Sequence, residues 1–172
     1  HHIDPHRFDE RFGGRRGRSG ALGLLGRQRR AAEDARGRTA AAEPRLSRDH
    51  TERMLPQFGV TLREGPSIQG GQRLHGTDVS VPADPSSAAF LVAAALLVPG
   101  SDITVTGVGL NPTRDGFYRV LERMGARIAY QNRRDNGGEP VADLRVTRSD
   151  LRGIDVPEHL VAPAIDEFPV LF

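Results

Sequence analysis

Residues 53–62 read RMLPQFGVTL and residues 119–128 read RVLERMGARI. Each runs from an arginine through an apolar helical face to a Phe or Met, then a glycine, then a short β-forming stretch. In the second, Phe117, Val120, Leu121 and Met124 stand at i, i+3, i+4 and i+7. That spacing puts them on one side of a helix, which Gly125 closes before a strand over 127–130. In the first, Met54, Leu55 and Phe58 supply the face, Gly59 takes the position just past the helix, and 60–62 follows as a strand. Asp49 and Glu52, three residues apart, have the form of a capping box for this helix. Setting Arg53 on Arg119 therefore predicts an internal structural repeat.

Between the copies lies ADPSSAAFLVAAALLVPG, residues 83–100. Asp84 is a natural N-cap, Pro85 fits the first helical position, and Pro99 with Gly100 stops the helix. Its residues are apolar nearly all round, which predicts burial. Asn111 and Pro112 are expected to open the following helix. Residues 103–106 alternate as a strand, as do Ala142, Leu144 and Val146, with Asn136, Gly137 and Gly138 as the turn before the latter. Helix, strand, helix, strand, strand is an α/β order, with helices packed on a mixed sheet.

The composition removes several chemistries. All 24 basic side chains are arginine, and lysine, cysteine and tryptophan are absent. No Schiff-base or P-loop lysine, cysteine nucleophile, disulfide or thiolate metal site is available. The longest apolar run, 88–98, is too short to cross a bilayer, and residues 1–10 lack the apolar stretch of a signal peptide. The expectation is a soluble, cytoplasmic protein with no membrane partner. Ten arginines against five acids in residues 1–38 give that part +5 of a total of +2. Residues 1–36, rich in Arg and Gly without periodicity, are expected to be poorly ordered. They read as a solvated tail in preference to an arm that holds nucleic-acid phosphates.

The strings SRDHTERMLPQFG (47–59), VPADPSSAAFLVAAALLVPGSDITVTGVGLNPTRDG (81–116), LERMGA (121–126) and PAIDEFPVL (163–171) occur in an order that resembles the EPSP synthase family. The form resembled is the glyphosate-tolerant bacterial class. The resemblance implies an enolpyruvyl transferase-like fold of two domains built from βαβαββ units. Here it would be partial: residues 37–82 end one domain and residues 83–172 begin the other. It implies transfer of the enolpyruvyl group of phosphoenolpyruvate to the 5-hydroxyl of shikimate 3-phosphate, with release of phosphate. It also implies a monomer at full length, with no metal and no organic cofactor.

By the resemblance, Asp166 matches the aspartate that binds the shikimate hydroxyls and accepts a proton, and Arg48 matches an arginine that reaches shikimate 3-phosphate. From the residues alone, Asp166 could equally cap the helix of FPVLF, and Arg48 could pair with Glu52 one turn on. Glu167 reads as a first-turn dipole partner and His50 as structural. Asp84, Ser86 and Ser87 read as helix-start residues, and Arg114 as part of a helix opening. A phosphate-gripping loop and the lysine-bearing strings of the family have no counterpart here, so this chain alone is expected to be inactive. Residues 26–34, shifted by one base, can encode a sequence close to that loop, and 6–36 are accordingly read as out of frame. The alternatives are a UDP-N-acetylglucosamine enolpyruvyl transferase and a non-enzymatic arginine-glycine nucleic-acid-binding protein.

Overall fold

The computed structural model describes residues 37–41, 48–63 and 67–172, so the expectations for 1–36 lie outside the described residues. The repeat is present in three dimensions. In the first copy β1 (Arg38–Ala40) is followed by helix α1 (His50–Met54), which tightens into a 3-10 turn over Leu55–Phe58. Gly59, at φ +83°, ends it by donating its N–H to the carbonyls of Leu55 and Pro56. A residue with a Cβ would be strained there. β2 (Leu62–Arg63) and β3 (Ser67–Gln69) complete an antiparallel sheet in the order β1-β3-β2.

The second copy repeats this design at greater length. β4 (Asp102–Gly109) leads to α3 (Gly116–Arg123), Gly125 turns the chain at φ +98°, and β5 (Arg127–Asn136) and β6 (Glu139–Thr147) follow. Their antiparallel order is β4-β6-β5, the same first-third-second arrangement. The two-residue turn Gly137-Gly138 has φ of +65° and +83°, which glycine alone adopts freely and which matches the twist of a tight hairpin. Before β4, Ala83 makes one isolated parallel bridge to Val108, with helix α2 (Pro85–Leu97) crossing between them. With Ala83 as a one-residue first strand, 83–147 is a complete βαβαββ unit.

Alternation places Ile103, Val105, Ile128, Tyr130, Leu144 and Val146 on one sheet face, in register across β6. Against them pack Ala88, Ala89, Val92, Ala95 and Leu96 of α2 and Phe117, Tyr118 and Leu121 of α3. The Tyr118 hydroxyl donates to the Pro85 carbonyl at 2.8 Å, which ties α3 to the start of α2. The outer strands slip register at neighbouring positions of β6, β4 opposite Asp143 and β5 opposite Ala142. The Asp143 carboxylate accepts from the Gly107 N–H at 2.7 Å and from Asn132 Nδ2 at 2.8 Å. Those bonds hold the Asp143 carboxyl below its usual range. Gly107 and Asn132, which make these bonds, both have positive φ, Asn132 being the one non-glycine residue of that kind among the described residues.

Several expectations change. The capping box does not form: the Asp49 side chain makes no bond to its helix N-terminus. It is held by the Arg53 guanidinium, Nε at 2.8 Å, and by Asn111 Nδ2 at 2.7 Å, the first an ion pair that a backbone amide cannot match. Helix α3 starts at Gly116, not Asn111, because the Asn111 side-chain oxygen accepts from the N–H and hydroxyl of Thr113 and folds 111–114 into a turn. Both sheets are antiparallel, the bridge at Ala83 being the one parallel element among the described residues. Helix α2 is buried on one face only, with Phe90 and Leu97 each 66% exposed on the other.

After β6, α4 (Glu158–Val161) and a 3-10 turn (Ala162–Glu167) lie beside α3, and α5 (Phe168–Leu171) continues from the turn to lie against α2. Gly116 makes this approach possible: a Cβ there would stand 2.7 Å from backbone atoms of Pro163 and Ala164. By helix propensity alone Gly116→Ala should stabilise by up to about 1 kcal/mol. The close approach predicts the opposite sign, a loss of about 1–3 kcal/mol, read as a lowered urea midpoint; a raised midpoint would contradict the packing described.

Candidate active site

Four separated stretches converge at the start of α1: the lead-in to α2, the turn before α3, the β5–β6 turn and the 3-10 turn at 162–167. The convergence brings the two sequence-derived site residues together. Arg48 Nη2 lies 2.7 Å from Asp166 Oδ2, across 118 residues of chain. Their side chains are 41% and 49% exposed, so the pair is open to a ligand from solution. Asp166 does not cap α5, which has no side-chain cap bond.

Arg114 stands behind this pair. Its Nη2 donates to Ser86 Oγ at 2.8 Å, meets Asp84 Oδ1 at 3.4 Å and lies 4.0 Å from Asp166 Oδ2. Ser86 in turn donates its hydroxyl to Glu167 Oε1. Glu167 is only 4% exposed, which no helix-dipole role requires. Asp84 does cap α2, accepting from the Ser87 N–H and hydroxyl, each at 2.8 Å. Burial pushes its carboxyl up, but the Ser87 bonds and the Arg114 charge outweigh that and leave it lowered. Of the DPSS string, then, Asp84 and Ser87 have the folding role expected, while Ser86 belongs to the cluster. Arg114 and Ser86 were missed as site residues because helix-start chemistry accounts for both locally; only the fold sets them against Glu167.

A second polar group holds α1 against the β5–β6 turn. His50 Nδ1 lies 2.6 Å from Glu139 Oε1, in the structural role expected of it. Asn111 Nδ2 donates to Asp49 Oδ1 at 2.7 Å and Glu139 Oε2 at 2.9 Å. Arg53 Nη1 donates to the Gly138 carbonyl at 3.0 Å, and Gln57 Nε2 donates to that of Gly137. A Cβ on Gly138 would stand 2.7 Å from the Arg53 carbonyl oxygen, so the turn needs glycine for contact as well as conformation. Between the groups is a cleft of about 270 Å³ lined by His50, Pro82, Asp84, Asn111, Arg114 and Glu139 among others. Two guanidinium groups flank one half-exposed carboxylate, an arrangement suited to an anionic ligand that also carries hydroxyls. Among the described residues no group of His, Asp or Glu could hold a metal ion, and no helix is long and apolar enough to cross a membrane.

The family model for EPSP synthase (3-phosphoshikimate 1-carboxyvinyltransferase) matches residues 30–172. A 3-phosphoshikimate 1-carboxyvinyltransferase of Xanthomonas campestris pv. campestris is 54% identical over 141 residues, and one of Alkalilimnicola ehrlichii 57%. Each match covers 80% of this chain and 32% of the relative. The EPSP synthase structure from Acinetobacter baumannii superposes with a TM-score of 0.75 at 48% identity, over 80% of this chain and 32% of its own. The chain thus spans about a third of the length of the relatives it matches.

The second polar group has an acid signature. Burial pushes the Asp49 carboxyl up, but bonds from Arg53 and Asn111 and the Arg53 charge bring it below its usual value. A lowered folded-state value stabilises above the unfolded-state value of about 3.9 and is lost as pH falls through the folded one. Arg53→Met should therefore show its full urea-midpoint deficit at pH 7, narrowing below about pH 4. A deficit equal at pH 7 and pH 3 would contradict this.

Proposed function

The chain belongs to the EPSP synthase family, and from that premise we propose that it carries part of the site that transfers the enolpyruvyl group of phosphoenolpyruvate to the 5-hydroxyl of shikimate 3-phosphate. Residues 37–82 form the end of one domain and 83–172 the start of the other, the bridge at Ala83 being the first strand of the second. The complete protein is proposed to act as a cytoplasmic monomer without metal or organic cofactor. The observation that carries the reading is the Arg48–Asp166 contact at 2.7 Å.

In the proposed site Arg48 takes the phosphate of shikimate 3-phosphate and Asp166 takes the shikimate hydroxyls. Without ligand the two charges satisfy each other; so exposed a pair contributes little, about 0–1 kcal/mol. A phosphate dianion is a stronger partner for a guanidinium than one carboxylate oxygen. Its arrival frees Asp166 to accept a hydrogen bond from a ring hydroxyl. As the 5-oxygen attacks the enol carbon of phosphoenolpyruvate, Asp166 accepts the hydroxyl proton. A separate acid protonates the methylene carbon to a methyl, and elimination of phosphate together with one proton of that methyl then restores the double bond. The acid and further phosphate-binding cations fall to family strings with no counterpart in this sequence, so the 172 residues alone should release no phosphate.

Shikimate 3-phosphate titrated into the isotopically labelled chain should shift the resonances of Arg48 and Asp166. Arg48→Met and Asp166→Asn should each weaken the response by about tenfold or more, the scale of one lost charge-assisted hydrogen bond. UDP-N-acetylglucosamine should give no response. Equal shifts in wild type and both variants would sink the reading.

A further inference from the structure

The geometry points to Arg114 as a positioning residue for Asp166, acting through Ser86 on the buried Glu167. This rests on the reading of Asp166 as the group that meets substrate. Arg114 lines the cleft beside Asp166, with its Nη2 at 4.0 Å from Asp166 Oδ2, but its hydrogen bonds run to the side chains at the start of α2. Its guanidinium reaches Ser86 Oγ at 2.8 Å, and the Ser86 hydroxyl donates onward to Glu167 Oε1. Arg114 is thus linked through one hydroxyl to the residue directly after Asp166.

Charge explains why the linkage matters. A carboxylate that is 4% exposed must be compensated, because an isolated buried ion costs several kcal/mol. Ser86 alone supplies a neutral donor. The Arg114 cation behind it polarises that hydroxyl and completes a chain of guanidinium, hydroxyl and carboxylate. The chain crosses from the turn before α3, over the first turn of α2, to the end of the 3-10 turn at 162–167. Each contact of Arg114 leaves from Nη2, and its Nε is buried, so the head group is confined. The Glu167 charge is also felt at Tyr118, where burial and then the Glu167 and Asp84 charges push the hydroxyl above its usual range. The Tyr118 hydroxyl donates to the carbonyl of Pro85, the residue before Ser86.

Two constraints then locate Asp166. The close approach at Gly116 fixes Pro163 and Ala164, and the Arg114–Ser86–Glu167 chain fixes the other side of Asp166. The carboxylate between them turns outward to Arg48, while Arg114 Nη2 stays 4.0 Å away. When a ligand phosphate takes Arg48, Arg114 remains as the cation that holds Asp166 in place.

Amide hydrogen exchange of the 172-residue chain tests this. Arg114→Met should speed exchange of the amides of residues 164–168 and Val170, Asp166 included, by about tenfold or more, the scale of a lost bond to a buried charge. The β4–β6–β5 amides should be unaffected. Arg114→Lys should retain most of the protection, and Ser86→Ala should lose it while leaving the charge in place. In the Arg114→Met background, Glu167→Gln should restore protection, since it removes the uncompensated charge; simple packing would not respond that way. If Arg114→Met does not fold, the double variant must. Unchanged exchange in Arg114→Met, or no restoration by Glu167→Gln, overturns the proposal. If instead shikimate 3-phosphate leaves Arg48 and Asp166 unmoved while the exchange pattern holds, the positioning stands and the functional reading fails.

Discussion

One turn of chain, Gly137-Gly138, sets the relation between the two sheets and with it the site. Arg53 and Gln57 reach from the first repeat to the carbonyls of this turn, while His50 and Asn111 bond Glu139 beside it. Remove that docking and Arg48, at the head of α1, has no fixed relation to Asp166, which belongs to the chain beyond the second sheet. The turn serves because it presents bare backbone: two residues at positive φ, with no Cβ between their carbonyls and α1. A bidentate arginine is a fitting partner, since its planar fork can hold Asp49 and the Gly138 carbonyl together.

The duplicated design gives this contact its meaning. Each copy places its helix between the first strand and a β-hairpin, in the sheet order first-third-second. The copies then meet helix to hairpin, the α1 of one against the β5–β6 turn of the other. Among the described residues the second copy also shows a leading strand at Ala83 and the crossover helix α2, and with α2 comes the Asp84–Ser86 group behind Asp166. The family's proposed chemistry asks for cations and a carboxylate from remote stretches, and this docking brings them within bonding distance.

Much of the fold was legible in sequence because its signals are local. The 3.6-residue spacing of Phe117, Val120, Leu121 and Met124, the glycines at 59 and 125, and the Asn-Gly-Gly turn all act within a few residues. What failed was competition from afar. Asp49 looks like a cap until Arg53 and Asn111 claim its carboxylate, and Asn111-Pro112 looks like a helix opening until the Asn111 side chain folds the next residues into a turn. Arg48 and Asp166 were found by family resemblance, since a bland local role explained each. Ser86, Arg114 and Glu167 carried no signal in sequence, for their connection spans up to 81 residues and exists only in the fold.

The central claim is that the two repeats form one rigid arrangement, held at the Gly137-Gly138 turn, in which Arg48 faces Asp166. The chain has no native cysteine, so two spin labels can be placed cleanly, by Arg63→Cys on exposed β2 and Arg127→Cys on exposed β5. The interlabel distance distribution measured by pulsed electron paramagnetic resonance should be a single narrow peak. A broad distribution in the otherwise unaltered chain would mean that the sheets move independently, and that Arg48 and Asp166 are not held together by the fold.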